Sequence, residues 1–170
     1  MTDELKKTLV VDDEAELLQL VEKTLKKTGE FIVLTTAQPQ EVAGLCKTHQ
    51  PDVLLLDLVM PNVEGTQIIK ALKKDPQTAK IRIIITSGLG EMVYHEKEDK
   101  WSWGPNRPIA QERDKGLTKE RSAERTAKAY GVDDFIAKPF SPKVLLEVIH
   151  DVLNRKNEEE KAGENTEGET

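Results

Sequence analysis

Three acids, a hydroxyl and an amine stand out in this chain of 170 residues: Asp12 with Asp13, then Asp57, Thr86 and Lys138. A carboxylate beside an adjacent acidic pair would make a hard, all-oxygen, strongly negative site, which suits Mg²⁺ and not Zn²⁺. Three carboxylates at −3 would be offset by one Mg²⁺ and one lysine. Asp57, held by such a cation, could act as a nucleophile toward phosphorus. Lys138 would then place a second positive charge on the transferring oxygens, and the Thr86 hydroxyl would hydrogen-bond one of them.

Each of these groups directly follows a short apolar run: Leu9-Val10-Val11, Val53 to Leu56, Ile83-Ile84-Ile85 and Phe135-Ile136-Ala137. Apolar runs of this length, alternating with segments of helical period, read as parallel strands buried on both faces. Open α/β sheets bind ligands at the carboxyl ends of their strands, so all the groups would converge on one rim. Along the chain, strands are expected at Lys7 to Val11, Phe31 to Thr35, Val53 to Leu56, Ile81 to Ile85 and Asp134 to Ala137. Helices are expected over Glu14 to Thr28, closed by Gly29, and from Pro39 to about Thr48. A turn from Met60 to Gly65 leads to a helix carrying Ile68, Ile69 and Leu72 and ending near Asp75-Pro76. Two more helices are expected, one containing Ser122 to Tyr130 and one capped by Ser141-Pro142 with Val144, Leu145, Val148 and Val152 inward. The fold class is therefore α/β, a doubly wound five-stranded parallel sheet with helices on both faces.

Each residue also has an ordinary explanation. Asp13 and Glu14 suit the first turn of a helix, where the dipole favours negative charge. Thr86 ends a strand, a common place for a β-branched residue, and Lys138 alone would be a solvated lysine. Asp57 is harder to explain in this way, because it follows Val-Leu-Leu-Leu. Composition sets further bounds: 25 basic residues against 31 acidic give a net charge of −6, with no basic stripe for nucleic acid. From Asn157 to Thr170 there are six glutamates and one lysine, so the remainder is nearly neutral. With Ala162 as its one apolar residue, residues 155–170 are expected to be an acidic disordered tail. No segment approaches the roughly 20 apolar residues of a membrane helix, and the start is unlike a signal peptide, so a cytoplasmic protein is expected. The lone Cys46 reads as a small buried hydrophobe on a helix.

The segments Val10-Val11-Asp12-Asp13-Glu14, Leu55-Leu56-Asp57-Leu58-Val59-Met60-Pro61, Ile84-Ile85-Thr86-Ser87 and Phe135-Ile136-Ala137-Lys138-Pro139-Phe140 resemble the receiver domain of two-component response regulators. The resemblance covers residues 7–154, after an extension of residues 1–6, and implies the flavodoxin-like strand order 2-1-3-4-5. It implies that Asp57 accepts a phosphoryl group from a sensor histidine kinase, a histidine phosphotransfer protein or a small acyl phosphate. It further implies that Asp13, Asp57 and the backbone carbonyl of Val59 bind Mg²⁺, with Asp12 assisting through water, while Lys138 and Thr86 contact the phosphoryl group. Phe135 falls where the family has an aromatic switch residue, although a core aromatic would equally suit the fifth strand. Lys138-Pro139 would carry the family's cis peptide. The face made by the fourth helix, fifth strand and fifth helix would meet a downstream protein target or a second copy.

One feature departs from that pattern. Thr86 and Lys138 lie 52 positions apart, where a loop, a helix of about 12 residues, a second loop and a strand need roughly 22 to 25. The surplus falls around residues 91–118, includes Gly104-Pro105 and Pro108, and holds both tryptophans, Trp101 and Trp103. It reads either as a solvated loop or as a lid or docking element anchored by the tryptophans. The leading expectation is a stand-alone phospho-acceptor signalling module, not an enzyme turning over an external substrate, with no direct contact to nucleic acid or membrane. The alternative is a phosphorylation-independent interaction scaffold on the same fold. A dehalogenase-type hydrolase would want an acid where Val59 stands, and a nucleotide-binding fold would want glycines where Asp12-Asp13-Glu14 stands.

Overall fold

The computed structural model describes residues 4–61, 63–88, 92–95, 100–103, 127–128 and 130–167. Its centre is a parallel sheet in the order β2-β1-β3-β6-β9, formed by β1 (Lys6–Val11), β2 (Phe31–Thr36), β3 (Val53–Asp57), β6 (Arg82–Ser87) and β9 (Asp134–Ala137). Counted within the sheet, that order is 2-1-3-4-5, as expected. The strands form where aliphatic and β-branched residues run continuously, and every residue of β3 is buried. Helix α1 (Ala15–Thr28) stops at Gly29, whose φ of 75° is a left-handed conformation that glycine adopts without a Cβ penalty. Pro39 opens a 3₁₀ turn, Pro39–Glu41, that runs into α2 (Val42–His49). Helices α3 (Gly65–Lys74) and α4 (Pro142–Glu167) complete the layers, with the Ser141 Oγ accepting the Val144 N–H at 3.2 Å to cap α4.

Alternation along each strand divides the interior between the two faces of the sheet. Leu9, Val11, Leu54, Leu56, Ile83 and Ile85 pack with Val42 and Cys46 of α2 and Ile69 and Leu72 of α3. Val10, Val53, Leu55 and Ile84 pack with Leu18, Val21 and Leu25 of α1 and with Leu145, Ile149 and Val152 of α4. Each fully buried aliphatic side chain contributes roughly 1.5–3 kcal/mol, so the two-sided packing fixes strand register and with it the rim. Cys46 is fully buried on α2, as expected, and burial pushes its thiol up to about 11.

Three elements differ from the sequence reading. The Met60 to Gly65 turn is a tight antiparallel pair, β4 (Val59–Met60) with β5 (Val63–Glu64). The inserted stretch contains a second antiparallel hairpin, β7 (Met92–His95) with β8 (Lys100–Trp103), where sequence alone showed no sustained period. Cross-strand backbone pairing depends on partners at a distance and leaves little trace in a short mixed segment. The rest of the insertion, with Gly104-Pro105 and Pro108, lies outside the described residues, as do residues 1–3. Of the helix expected to contain Ser122 to Tyr130, the described residues Ala127, Lys128 and Tyr130 are helical. Against the expected disorder of residues 155–170, α4 continues as helix through Glu167, and residues 168–170 lie outside the described residues. Ion pairs to the sheet, which composition cannot reveal, accompany the continuation.

Two glycines set up opposite responses to the same substitution. A Cβ on Gly65 would lie 2.9 Å from the Leu58 Cα and 3.2 Å from the Asp57 carbonyl oxygen, whereas one on Gly44 of α2 would meet nothing within 4 Å. Gly65→Ala is expected to destabilise the fold by about 1–3 kcal/mol through overpacking against the turn that carries Asp57. Gly44→Ala is expected to stabilise it by about 0.5–1 kcal/mol by removing helical glycine. Urea denaturation of the two variants checks both signs.

Candidate functional site

The register of the sheet assembles the site. Val11 of β1 pairs with Leu56 of β3, Asp57 pairs with Thr86 of β6, and Ser87 pairs with Ala137 of β9. Asp12 follows Val11 and Lys138 follows Ala137, so the sequence-predicted groups share the carboxyl rim of one sheet. Helix α1 begins only at Ala15, with Glu14 as its N-cap residue, so Asp12 and Asp13 sit in the loop and not in the first helical turn. The Asp12 Oδ1 accepts the Glu14 N–H at 2.9 Å, which orients this carboxylate at the head of the loop.

Lys138 ties the groups together. Its Nζ lies 2.6 Å from the Asp12 Oδ2, 3.0 Å from the Asp57 Oδ2 and 3.3 Å from the Glu14 Oε1. The other Asp57 oxygen, Oδ1, accepts the Val59 N–H at 2.9 Å. Lys138 is held in place by its own backbone, whose N–H donates to the Ser87 carbonyl at 2.8 Å, and the Lys138-Pro139 bond is cis, as the resemblance implied. Asp12, Asp57 and Thr86 are buried, at 2%, 3% and 5% exposure, whereas Asp13 is exposed. Burial raises the Asp12 carboxyl above the ordinary aspartate value and outweighs the lowering by Lys138 and the Glu14 N–H. For Lys138, burial works toward a lower value, but hydrogen bonds and charge from Asp12 and Asp57 prevail and hold the ammonium well above the usual lysine range.

The donor set suits a hard divalent cation. One carboxylate oxygen from each of Asp12, Asp13 and Asp57 can be taken with all of them within 4.8 Å of one another, and the exposed Asp13 leaves a side open to water. Against those three acids the site offers one buried ammonium, so a formal negative excess remains for a cation to offset. Mg²⁺, which favours carboxylate oxygens and keeps several waters, fits better than a nitrogen- or sulfur-seeking metal.

One acid of the site was not singled out from the sequence, while three neighbours of the site had been. Glu14, 64% exposed, extends the acid cluster to the solvent side of Lys138; its place directly after the acid pair was the only signal. Gly88 lies beside the lysine, where an added Cβ would be 3.9 Å from the Lys138 Cβ. Phe135 is buried in the core with Leu58, Ile69 and Val132, the structural role considered for it from sequence. Val59, 41% exposed, sits at the mouth of the site with no polar side chain.

Residues 8–98 match the model of the response regulator receiver domain. The chain is 31% identical over 151 residues to a probable transcriptional regulator, ycf27, of Guillardia theta, covering 89% of this chain and 46% of that protein. It is 29% identical over 150 residues to the phosphate regulon transcriptional regulatory protein PhoB of Pseudomonas aeruginosa, covering 88% of this chain and 52% of that one. The chain thus spans about half the length of these curated relatives. Among solved structures, the chemotaxis response regulator CheY4 of Vibrio cholerae superposes with a TM-score of 0.63 at 22% identity, covering 88% of this chain and 99% of that one. A receiver domain from Bermanella marisrubri does so at 0.62 and 25%, with coverages of 88% and 99%. Among the described residues no helix is long and apolar enough to cross a membrane. A match over more than half of the sequence, joined to the strand order and the acid cluster at the rim, establishes that this chain belongs to the response regulator receiver domain family of two-component systems.

Proposed function

We propose that the protein is a phospho-acceptor of a two-component system that takes a phosphoryl group on Asp57. The observation that carries this reading is the placement of one buried carboxylate, Asp57, between an ammonium at 3.0 Å and two further acids able to share a cation. An Asp57 carboxylate oxygen attacks phosphorus in line with the leaving group, and the P–N bond of a phosphohistidine, or the P–O bond of an acyl phosphate, breaks. The leaving group departs with the bonding electrons and the product is an aspartyl phosphate. Lys138 pairs with the phosphoryl oxygens and Thr86, one register position across from Asp57, donates its hydroxyl to one of them. Asp13, Asp57 and the Val59 carbonyl would hold Mg²⁺, with Asp12 acting through water, and the cation would supply neutralising charge on the transferring oxygens.

In this reading the donor is a histidine kinase or a histidine phosphotransfer protein. Phosphorylation would shift Thr86 and, through Phe135, the face built from Tyr130, β9 and α4 toward a protein target or a second copy. The protein would act in the cytoplasm, without binding nucleic acid itself. It would catalyse its own phosphorylation and dephosphorylation and not turn over an external substrate.

Intact-mass analysis after incubation with acetyl phosphate tests the assignment. One phosphoryl adduct is expected with Mg²⁺ and none without it, and Asp57→Asn should abolish it; an adduct that persists in the variant would move the acceptor elsewhere. Proton competition gives a second check. Cation binding requires an ionised Asp12, whose carboxyl burial has raised, so Mg²⁺ affinity by calorimetry should fall as pH drops from neutral, at higher pH than an ordinary aspartate would give. The third concerns lifetime: Val59 and Gly88 offer no polar side chain to orient an attacking water. The phosphorylated wild type should therefore decay several-fold more slowly than Val59→Asn, and equal half-lives would contradict that.

A further inference from the structure

At the sheet edge opposite the acid cluster, the last helix changes the way it is held. Up to Leu153, α4 is fixed by apolar burial: Leu145, Ile149, Val152 and Leu153 lie in the core at 6% exposure or less. Beyond Leu153 the sequence to Glu167 offers a single apolar residue, Ala162, together with five glutamates, Gly163, Asn165 and Thr166. Glycine, asparagine and threonine are weak helix formers, and a short helix without a buried face is marginal in water. Yet the helix continues to Glu167.

Among the described residues, its attachments there are ionic. The Lys156 Nζ lies 3.0 Å from the Asp52 Oδ1, at the turn before β3, and the Arg155 Nη2 lies 2.8 Å from the Asp134 Oδ2, at the start of β9. Glu159 pairs with Arg82 at the start of β6, and the same guanidinium reaches the Asp133 Oδ1 at 2.8 Å. Residues 155, 156 and 159 thus meet three strand starts within little more than one helical turn. Their anchors are well set: Asp52 also accepts the Lys7 N–H at 3.0 Å, and Asp133 also accepts the Ile83 N–H at 2.8 Å. Burial acts to raise the Asp52 carboxyl, but the Lys7 N–H and Lys156 prevail and hold it below the ordinary aspartate value.

We propose that residues 155–167 form an electrostatically latched arm, docked on the amino-terminal edge of the sheet through Lys156–Asp52, Arg155–Asp134 and Glu159–Arg82, which detaches as a unit while the domain stays folded. The apolar part of α4 is indifferent to ionic strength, whereas partly exposed ion pairs weaken as the Debye length shrinks. Side-chain exposures of 51% for Arg155 and 66% for Glu159 put two of the three pairs well within reach of salt, and Lys156–Asp52, at 19% and 25%, is more sheltered. Release would free Asp52, Asp134 and one side of the Arg82 guanidinium at an edge remote from the phosphorylation site. The arm is independent of the phospho-acceptor reading, because none of its residues belongs to the acid cluster.

Hydrogen–deuterium exchange of the full chain, read by mass spectrometry, tests the latch. Peptides covering residues 157–167 should be protected at about 0.01 M NaCl and exchange at least roughly fivefold faster at about 1 M, where the Debye length falls from about 30 Å to about 3 Å. Amides of β3, Val53–Asp57, should be unchanged and report an intact fold. Lys156→Gln and Glu159→Gln should each speed exchange of the arm at low salt, and the triple variant that adds Arg155→Gln should lose its salt response. Exchange that ignores salt in the wild type, or an arm unprotected even at low salt, would overturn the proposal. If a variant also loses protection in β3, the wild-type salt series alone decides.

Discussion

Two buried carboxylates at the ends of neighbouring strands would repel one another without a compensating charge, and Lys138 supplies it from across the sheet, 2.6 Å from Asp12 and 3.0 Å from Asp57. Removing one member of such a cluster leaves the others desolvated and unpaired, which is more costly than the cluster is stabilising. The rest of the rim is arranged around this balance. The Glu14 and Val59 N–H groups each take a carboxylate oxygen that the ammonium leaves free. One ammonium against three acids still leaves negative charge to be offset, and that excess makes the rim receptive to a divalent cation and then to an anionic phosphoryl group.

Precision at the rim comes from the packing beneath it. A one-residue slip of β3 against β6 would exchange Leu54 and Leu56 with Leu55 between the two faces and would carry Asp57 away from Thr86. The aliphatic layers therefore determine where the charges meet. The opposite edge of the sheet is organised differently, with strand starts held to the last helix by partly exposed ion pairs. One edge is buried, pre-organised and suited to chemistry; the other is solvated and responsive to salt.

Much of this was legible from sequence because it rests on local signals. Continuous apolar runs located the five strands of the sheet, Gly29 and Pro39 marked helix boundaries, and charges directly after the runs marked the rim. Cys46 as a buried hydrophobe followed from its place on a helix and the usual burial of a lone cysteine. What escaped depends on contacts distant in sequence. Glu14 joins the cluster through a lysine 124 residues away. The acidic tail was expected to be disordered on composition, yet it is helical where Arg82, Asp52 and Asp134 provide partners for Glu159, Lys156 and Arg155. The β7–β8 hairpin arose in a segment whose period signalled neither strand nor helix. Each miss is a tertiary or cross-strand interaction overriding a local tendency.

The role of Lys138 as the counter-charge can be measured directly by comparing urea unfolding of the wild type and Lys138→Met, each with and without millimolar Mg²⁺. The account predicts that the variant loses on the order of 3 kcal/mol in the absence of the cation, and that Mg²⁺ restores stability more to the variant than to the wild type. A variant as stable as the wild type, with no differential response to Mg²⁺, would contradict the claim that this ammonium holds the acid cluster together.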